Sequence, residues 1–363
     1  MIIETDILIV GGGPAGATLA KYLSNSNVKN ILIQRNLNFK KPCGGGIRLD
    51  AFTDFALDTS LIKKYVDTIL LVYKAKTVHV DISQTPIAVV ERKEFDGYLR
   101  AEAQKSGTTL YEAAFVSLEI FDGYVISTIK KEDEYLQIKS NYLIAADGVN
   151  SKIRKIINGE SVPSNLTQYT NITSEHYEVC EFHFGKKVAG EYYAWAFPHA
   201  DGTNIGTLAE YDRSYINNLR DSLAIEEQSK VLSYKIPHFK NPLFYKQRVF
   251  FVGDSASQVL PFTYEGIYYA MHSAKILSEV LIAKQEPSEY EKLWNQKYYK
   301  KFTTLLKLQN IFLMNNFMIF IMMRLFQNRH VQKQILNLWL GKKEVEINFS
   351  FFIKALKRFI FSQ

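Results

Sequence analysis

The spacing of apolar residues changes character several times along the chain. Ile7, Leu8, Ile9 and Val10 form an unbroken apolar run, the mark of a strand buried on both faces. A glycine turn follows, and Pro14 stands where the opening turn of a helix tolerates a missing N–H. The pattern then becomes amphipathic and helical, and a second buried run, "NILIQRN" (30–36), closes the unit. Over 115–148 the turn signals "FDG" and "KEDE" separate three β-rich runs. They predict an antiparallel meander ending in another apolar strand, "NYLIAADG". "RVFFVGDSA" (248–256) is a later apolar strand that runs into a Gly-Asp turn.

Between these pieces, residues 50–90 and 166–247 alternate apolar with polar positions and are rich in aromatics. The pattern predicts an α/β protein whose Rossmann-like domain is assembled from non-contiguous segments, residues 1–49, 91–165 and 248–285. A mainly antiparallel β substrate domain, 50–90 and 166–247, is inserted into it. Residues 286–363 read as a helical C-terminal region. Within that region "NIFLMNNFMIFIMMRLF" (310–326) is strongly apolar but broken by Asn315, Asn316 and Arg324, and it is too short to span a bilayer. The last stretch places Phe349, Phe352, Ile353, Leu356, Phe359 and Ile360 on one helical face, with Lys354, Lys357 and Arg358 largely off it.

Charge sharpens this picture. The net charge of +7 belongs to the C-terminal region: 13 Lys/Arg stand against 5 Asp/Glu from Glu286 to Gln363, and 31 against 32 in the remainder. An apolar face beside cations fits peripheral contact with an anionic membrane surface, and equally a core-facing stripe with solvated cations. No nucleic-acid partner is expected. Two distant cysteines give neither a disulfide framework nor a metal cluster, and Met1 to Ile3 lead straight into a strand. A cytoplasmic protein, peripheral on the inner face of a membrane if it binds one, is the expectation. His79, His183 and His199 are scattered and read as structural, and Cys180 as packing.

Gly11-x-Gly13-x-x-Gly16 follows a strand and opens a helix, the context in which glycines let a pyrophosphate approach free helix N–H groups. Pro14 and Ala15 complete the turn, and Gln34, followed by Arg35, stands where an acidic ribose contact is usual. Three more stretches follow in order: "ERKEFDGYLR" with Arg92, "AADGVNSKIR" with Asp147 and Gly148, and "VGDSASQVLPFTYEGIYYAMHSA" with Gly253, Asp254, Gly266 and Ile267. These resemble the cofactor motifs of flavoproteins related to para-hydroxybenzoate hydroxylase, which implies FAD. The resemblance places Asp254 on a ribityl hydroxyl and Arg92 with the Asp147-Gly148 turn near the pyrophosphate. Gly266-Ile267 would then start a helix facing the flavin's pyrimidine end, where its dipole stabilises a reduced flavin.

Two further stretches, "KPCGGGI" (41–47) and "GEYYAWAFPHADGTNIG" (190–206), resemble the geranylgeranyl reductase family, whose members use reduced FAD to saturate isoprenoid double bonds. Tyr193, Trp195, Phe197 and Pro198 match that family's aromatic motif; its leading proline is Gly190 here, and Tyr264 stands where relatives place a glycine. Alternate strand residues share a face, so Tyr193, Trp195 and Phe197 form an aromatic wall for an apolar chain, or else pack the domain core. With Tyr264 they are the substrate-binding candidates. Gly44 and Gly45 would let the backbone pass beside the flavin, and Cys43 would lie at its edge as a wall residue, a tuner of the flavin or a proton donor. Cys43, Tyr193 and Trp195 are the catalytic candidates. With only one glycine-rich dinucleotide motif, an NADPH or NADH donor would visit transiently, or another reduced carrier would serve. The leading reading is an FAD-dependent reductase of an isoprenoid or similar apolar, lipid-like substrate. An FAD monooxygenase of a small hydrophobic or aromatic substrate and a non-catalytic flavin- or lipid-binding protein are the alternatives. A halogenase fits less well, because its aromatic motif is Trp-x-Trp.

Overall fold

The computed structural model describes residues 2–209 and 213–340, so the amphipathic stretch over 349–360 lies outside the described residues. The chain divides into two compact units. The first comprises Met1–Cys43, Arg92–Ser164 and Lys235–Tyr299, and the second Gly44–Glu91, Asn165–Tyr234 and Lys300–Gln363.

The first unit is built on an eight-stranded sheet. Strand Ile2–Val10 lies at its centre, parallel to Asn30–Gln34 on one side and to Glu134–Ala145 on the other. Thr109–Glu112 and Val249–Phe251 extend the parallel array outward. The expected meander is present as Ala114–Ile120, Val125–Lys131 and Glu134–Ala145, all antiparallel. Its last strand is long enough to pair antiparallel with the meander and parallel with Ile2–Val10, which joins the two patterns seen in the sequence. Leu8, Ile9, Leu32, Leu143 and Ile144 are fully buried, as the unbroken apolar runs require. Helix Pro14–Asn25 packs against helices Arg92–Lys105 and Ile267–Ile282.

In the second unit a seven-stranded sheet runs in the order Leu232–Pro237, Ser164–Ile172, Gly202–Leu208, Tyr193–His199, Cys180–Phe184, Thr68–Tyr73 and Lys76–Asp81. Its described pairings are antiparallel except that of Cys180–Phe184 with Thr68–Tyr73, which is parallel. Gly46–Arg48, Ile87–Val90 and Ile62–Val66 form a small antiparallel sheet beside it. Helix Ser214–Ser222 covers one face of the large sheet, burying Ile216 and Leu219 against Ala194, Ala196 and Ile205.

Toward the C-terminus, helices Pro287–Phe312 and Asn316–Phe326 bend by 117° at the residues between them. Asn315, which interrupts the apolar run in sequence, is the N-cap of the second of these, its Oδ1 accepting the Met318 N–H at 2.9 Å. The last described helix, Arg329–Leu340, ends on two cations. Buried Arg48 donates to the carbonyls of Trp339 (3.5 Å) and Leu340 (3.2 Å), and Lys301 also binds the Trp339 carbonyl. Among the described residues no single helix is long and apolar enough to cross a membrane.

Candidate cofactor site and aromatic face

The glycines of the first turn have separate reasons to be glycine. Gly11 takes φ +109°, and a Cβ there would lie 2.2 Å from the Ala146 carbonyl oxygen; a Cβ on Gly16 would lie 1.9 Å from the carbonyl oxygen of Gly11. Both positions are fixed by backbone packing. Gly13 differs: a Cβ there meets nothing within 4 Å. It caps helix Pro14–Asn25 with no side-chain hydrogen bond, and Ala17 is the first residue whose N–H bonds back into the turn. An open glycine before uncapped helix N–H groups is a cradle for an anion.

Three elements converge on that turn. The register Val10↔Ala145 aligns the strand ends, and Gly253, at φ +64°, would place a Cβ 3.1 Å from Ala270 and 3.3 Å from Ala15. Arg154, with 1% exposure, ties the Asp147-Gly148 turn to the Gly253-Asp254 turn by donating to Ser255 O (2.9 Å) and Ser257 Oγ (3.1 Å). Asp147 as a whole is half-buried, yet its carboxyl is enclosed: burial pushes its pKa up, and Oδ1 has no hydrogen-bond partner. A buried carboxyl oxygen left without a partner beside an open glycine turn fits a site where a bound cofactor would supply that partner. Asp254 Oδ1 lies 3.2 Å from where a Gly266 Cβ would sit, which brings this carboxylate to the start of helix Ile267–Ile282.

Gln34 is engaged with the backbone. Its Oε1 accepts the Gly12 N–H at 2.8 Å and its Nε2 donates to Asn36 O at 3.0 Å, so the amide holds the glycine turn in place. Arg35 is exposed. A residue with no assigned role does comparable work: Arg100 donates to Gly12 O (3.0 Å) and Leu37 O (2.9 Å). Arg92, Asp96 and Arg100 recur at four-residue spacing on helix Arg92–Lys105, so a single buried face of this helix was legible in sequence. Arg92 grips Asp96 through two bonds, Nε–Oδ1 at 3.0 Å and Nη2–Oδ2 at 2.8 Å, and also hydrogen-bonds the side chain of Cys43. Burial alone would weaken the guanidinium's hold on its proton, but Asp96 and Cys43 outweigh it and raise the Arg92 pKa. Lys41 pairs with Asp254 at 2.6 Å. No sequence signal marked Lys41, since nothing in "KKPC" says which lysine turns inward.

Tyr264 and Phe262 both adopt left-handed backbone angles, φ 56° and 76°. That geometry suits glycine, so a tyrosine at 264 carries backbone strain of order 1–3 kcal/mol. Its ring meets that of His238 edge-on, with centroids 5.8 Å apart.

In the second unit, strand Tyr193–His199 separates its two faces cleanly. Ala194 and Ala196 point into the helix-covered core. Tyr193, Trp195 and Phe197 lie on the opposite face with Phe182 and Phe184, at centroid distances of 4.9 Å for Phe182–Tyr193 and 5.0 Å for Phe182–Phe197. Trp195 and Phe197 are only half-buried. The Trp195 indole N–H donates to Asn204 Oδ1 at 2.7 Å, and Asn204 in turn donates to Asn171 at 2.7 Å. The ring lies flat on Gly206, where a Cβ would be 2.1 Å from Trp195 Cζ2. Gly44 and Gly45 belong to this unit. A Cβ on Gly44 would touch Phe197 at 3.0 Å, and Gly45, at φ +75°, packs on the Val90 carbonyl. The chain passes from the first unit to the second at the Cys43–Gly44 bond.

The remaining candidates are structural. His183 is paired with Glu181 at 2.8 Å, His199 is buried, and burial pushes the Cys180 thiol up to about 12, which leaves it inert.

Residues 4–293 match a family model described as FAD binding domain. The geranylgeranyl diphosphate reductase of Synechocystis sp. is 29% identical over 345 residues, 84% of this chain and 84% of that protein. The digeranylgeranylglycerophospholipid reductase of Methanocaldococcus jannaschii is 28% identical over 340 residues, 84% of this chain and 86% of its own. Among solved structures, a geranylgeranyl bacteriochlorophyll reductase-like protein of Thermoplasma acidophilum shares the fold. Its TM-score is 0.77 at 21% identity, covering 98% of this chain and 96% of that one.

Proposed function

As the chain belongs to the FAD-binding-domain family, as a geranylgeranyl reductase-like FAD-dependent oxidoreductase, we propose that it saturates carbon–carbon double bonds of an isoprenoid or similarly apolar, lipid-like substrate. The observation that carries this reading is the aromatic face of Tyr193, Trp195 and Phe197, turned away from the alanine-lined core. Such a face holds a polyene by contact alone and offers no charge to a polar substrate. The names of the Synechocystis and Methanocaldococcus relatives support the substrate class.

In this reading Gly13 and the N-terminus of helix Pro14–Asn25 hold the pyrophosphate, with Gly11, Gly16, Gln34 and Arg100 fixing the turn. Asp147 would stand beside the pyrophosphate in its turn with Gly148, and Asp254 would take a ribityl hydroxyl. Bound and reduced, FAD supplies hydride equivalents. Saturating an alkene also needs a proton, and Cys43 Sγ is the donor we assign to it. The Arg92 guanidinium is the partner that a thiolate left behind would require. Trp195 is a wall residue, since its N–H is already committed to Asn204. Tyr193 serves the same wall, and Tyr264, held at a left-handed backbone angle, is the further substrate-binding residue. With a single glycine-rich dinucleotide motif, the electron donor would be NADPH or NADH visiting transiently, or another reduced carrier. A lipid substrate would bring the protein to a membrane surface.

The test is product analysis. FAD-loaded protein, reduced anaerobically, is mixed with geranylgeranyl diphosphate or a geranylgeranylated lipid, and products are weighed by mass spectrometry. Gain of two hydrogens per double bond is expected. Insertion of oxygen once air is admitted, without saturation, would replace this reading by the monooxygenase one.

A further inference from the structure

The bend after helix Pro287–Phe312 is apolar on both sides. Inward, Phe312 is fully buried and packs on Phe184 (centroids 4.7 Å apart) and Phe326 (6.0 Å). Outward, Met314 is 63% and Phe317 68% exposed, with Ile311 and Phe320 exposed beside them. Phe317 is among the most exposed large apolar side chains described, and these four fall within ten residues of chain. Isolated exposed apolar residues are ordinary; a cluster on one bend calls for an occupant.

The surrounding charge identifies that occupant. No Asp or Glu occurs between Lys292 and Lys343, while Lys300, Lys301, Lys307, Arg324, Arg329 and Lys333 do. Two cations sit directly on the cluster. Lys76 Nζ lies 4.5 Å from the centre of the Phe320 ring, and the Arg324 guanidinium 5.3 Å from it. Apolar side chains to enter acyl chains, with two long cations on the cluster and no acid in the chain between Lys292 and Lys343, match the interface of an anionic bilayer. A protein partner would more often be met by charges of both signs.

We propose that the bend formed by Ile311, Met314, Phe317 and Phe320 docks this protein on an anionic lipid surface, with Lys76 and Arg324 at headgroup level. The proposal deepens the lipid-substrate reading by naming the surface from which substrate arrives. Vesicle binding is measured without turnover, so either reading can fail alone. The inner side of the same bend reaches the aromatic face, since Phe312 packs on Phe184, and Phe184 lies 6.4 Å from Tyr193, centroid to centroid.

Full-length, FAD-loaded protein is sedimented with vesicles of phosphatidylglycerol and phosphatidylcholine, and with phosphatidylcholine alone. Wild type is expected to pellet with the anionic vesicles and about tenfold less with the neutral ones. Phe317→Ser/Phe320→Ser is expected to lower anionic-vesicle binding by about tenfold or more, with flavin content and thermal unfolding unchanged. Met314→Asp, on the bend itself, serves as an independent variant with the same expected direction. Wild type that fails to bind anionic vesicles overturns the proposal, as do variants that bind like wild type. Concentration-dependent self-association of wild type that vanishes in Phe317→Ser/Phe320→Ser also overturns it, because a second copy would then be the occupant.

Discussion

Gly13 and Gly16 lie three residues apart in one motif, yet substitution should affect them in opposite ways. Gly13 has φ −78° and ψ −173°, extended backbone open to alanine, and its Cβ would meet nothing within 4 Å. Stiffening the unfolded chain stabilises Gly→Ala by about 0.4–1 kcal/mol at a compatible site. Alanine is a poorer N-cap by a similar amount. The two effects offset, and the cofactor-free protein should melt within about 4 °C of wild type. Under the proposed placement the cofactor is affected differently, because the new methyl would stand where the pyrophosphate approaches the helix. Each hydrogen bond to a charged group contributes about 1.5–3 kcal/mol. Displacing the phosphate from two such donors costs about 3 kcal/mol, or a Kd raised roughly 150-fold. Gly16→Ala instead drives its Cβ into the Gly11 carbonyl, 1.9 Å away, and neither backbone can yield. That variant should lose about 3 kcal/mol or more of stability even without FAD. Calorimetric titration of FAD into each apoprotein, paired with thermal unfolding, reads both quantities. A Gly13→Ala protein that binds FAD as tightly as wild type would refute the placement of the pyrophosphate at this helix end.

Cys43→Ala should keep its FAD and lower kcat for alkene reduction by about 100-fold, whereas an unchanged rate removes the thiol from the chemistry. Gly206→Ala should expel the Trp195 ring from its seat and break its 2.7 Å bond to Asn204. A stability loss of about 1–3 kcal/mol and a red-shifted tryptophan emission are expected. Glu227 is held down to about 2 from its ordinary 4.5, first by the Ser229 hydroxyl and then by the N–H groups of Ser174 and Thr173. A depressed acid stabilises the fold above its unfolded pKa and stops doing so as pH falls through the folded one. Wild type should therefore melt above Glu227→Ala at pH 6, with the gap closing between pH 4.5 and about 2. A gap that is constant with pH contradicts the assignment.

The buried strands were legible because a strand covered on both faces must be apolar throughout, as 7–10 and 143–145 are. The glycine motif was legible because its spacing is set by backbone approach. What escaped were polar side chains that serve the backbone. Arg100 and Gln34 both hold the glycine turn, but an arginine or glutamine in sequence carries no mark of its acceptor. The reading of Gly44 and Gly45 as a backbone passage beside the flavin did not foresee that Gly44 also makes room for the Phe197 ring and Gly45 for the Val90 carbonyl. Period-two alternation put Tyr193, Trp195 and Phe197 on one face. It left open which face met the core, and the alanines between the aromatic residues resolve that. Asn315 read as a break in an apolar run because capping depends on the chain bending there.

The proposed function requires that electrons held on this protein's flavin pass into an isoprenoid double bond. The most direct measurement is anaerobic: the photoreduced holoprotein is mixed with geranylgeranyl diphosphate or a geranylgeranylated lipid and the flavin absorbance is followed. The oxidised flavin spectrum is expected to return on mixing, without oxygen, and a fully saturated analogue to leave the flavin reduced. A flavin that stays reduced with the alkene and reoxidises only when oxygen is admitted would contradict it.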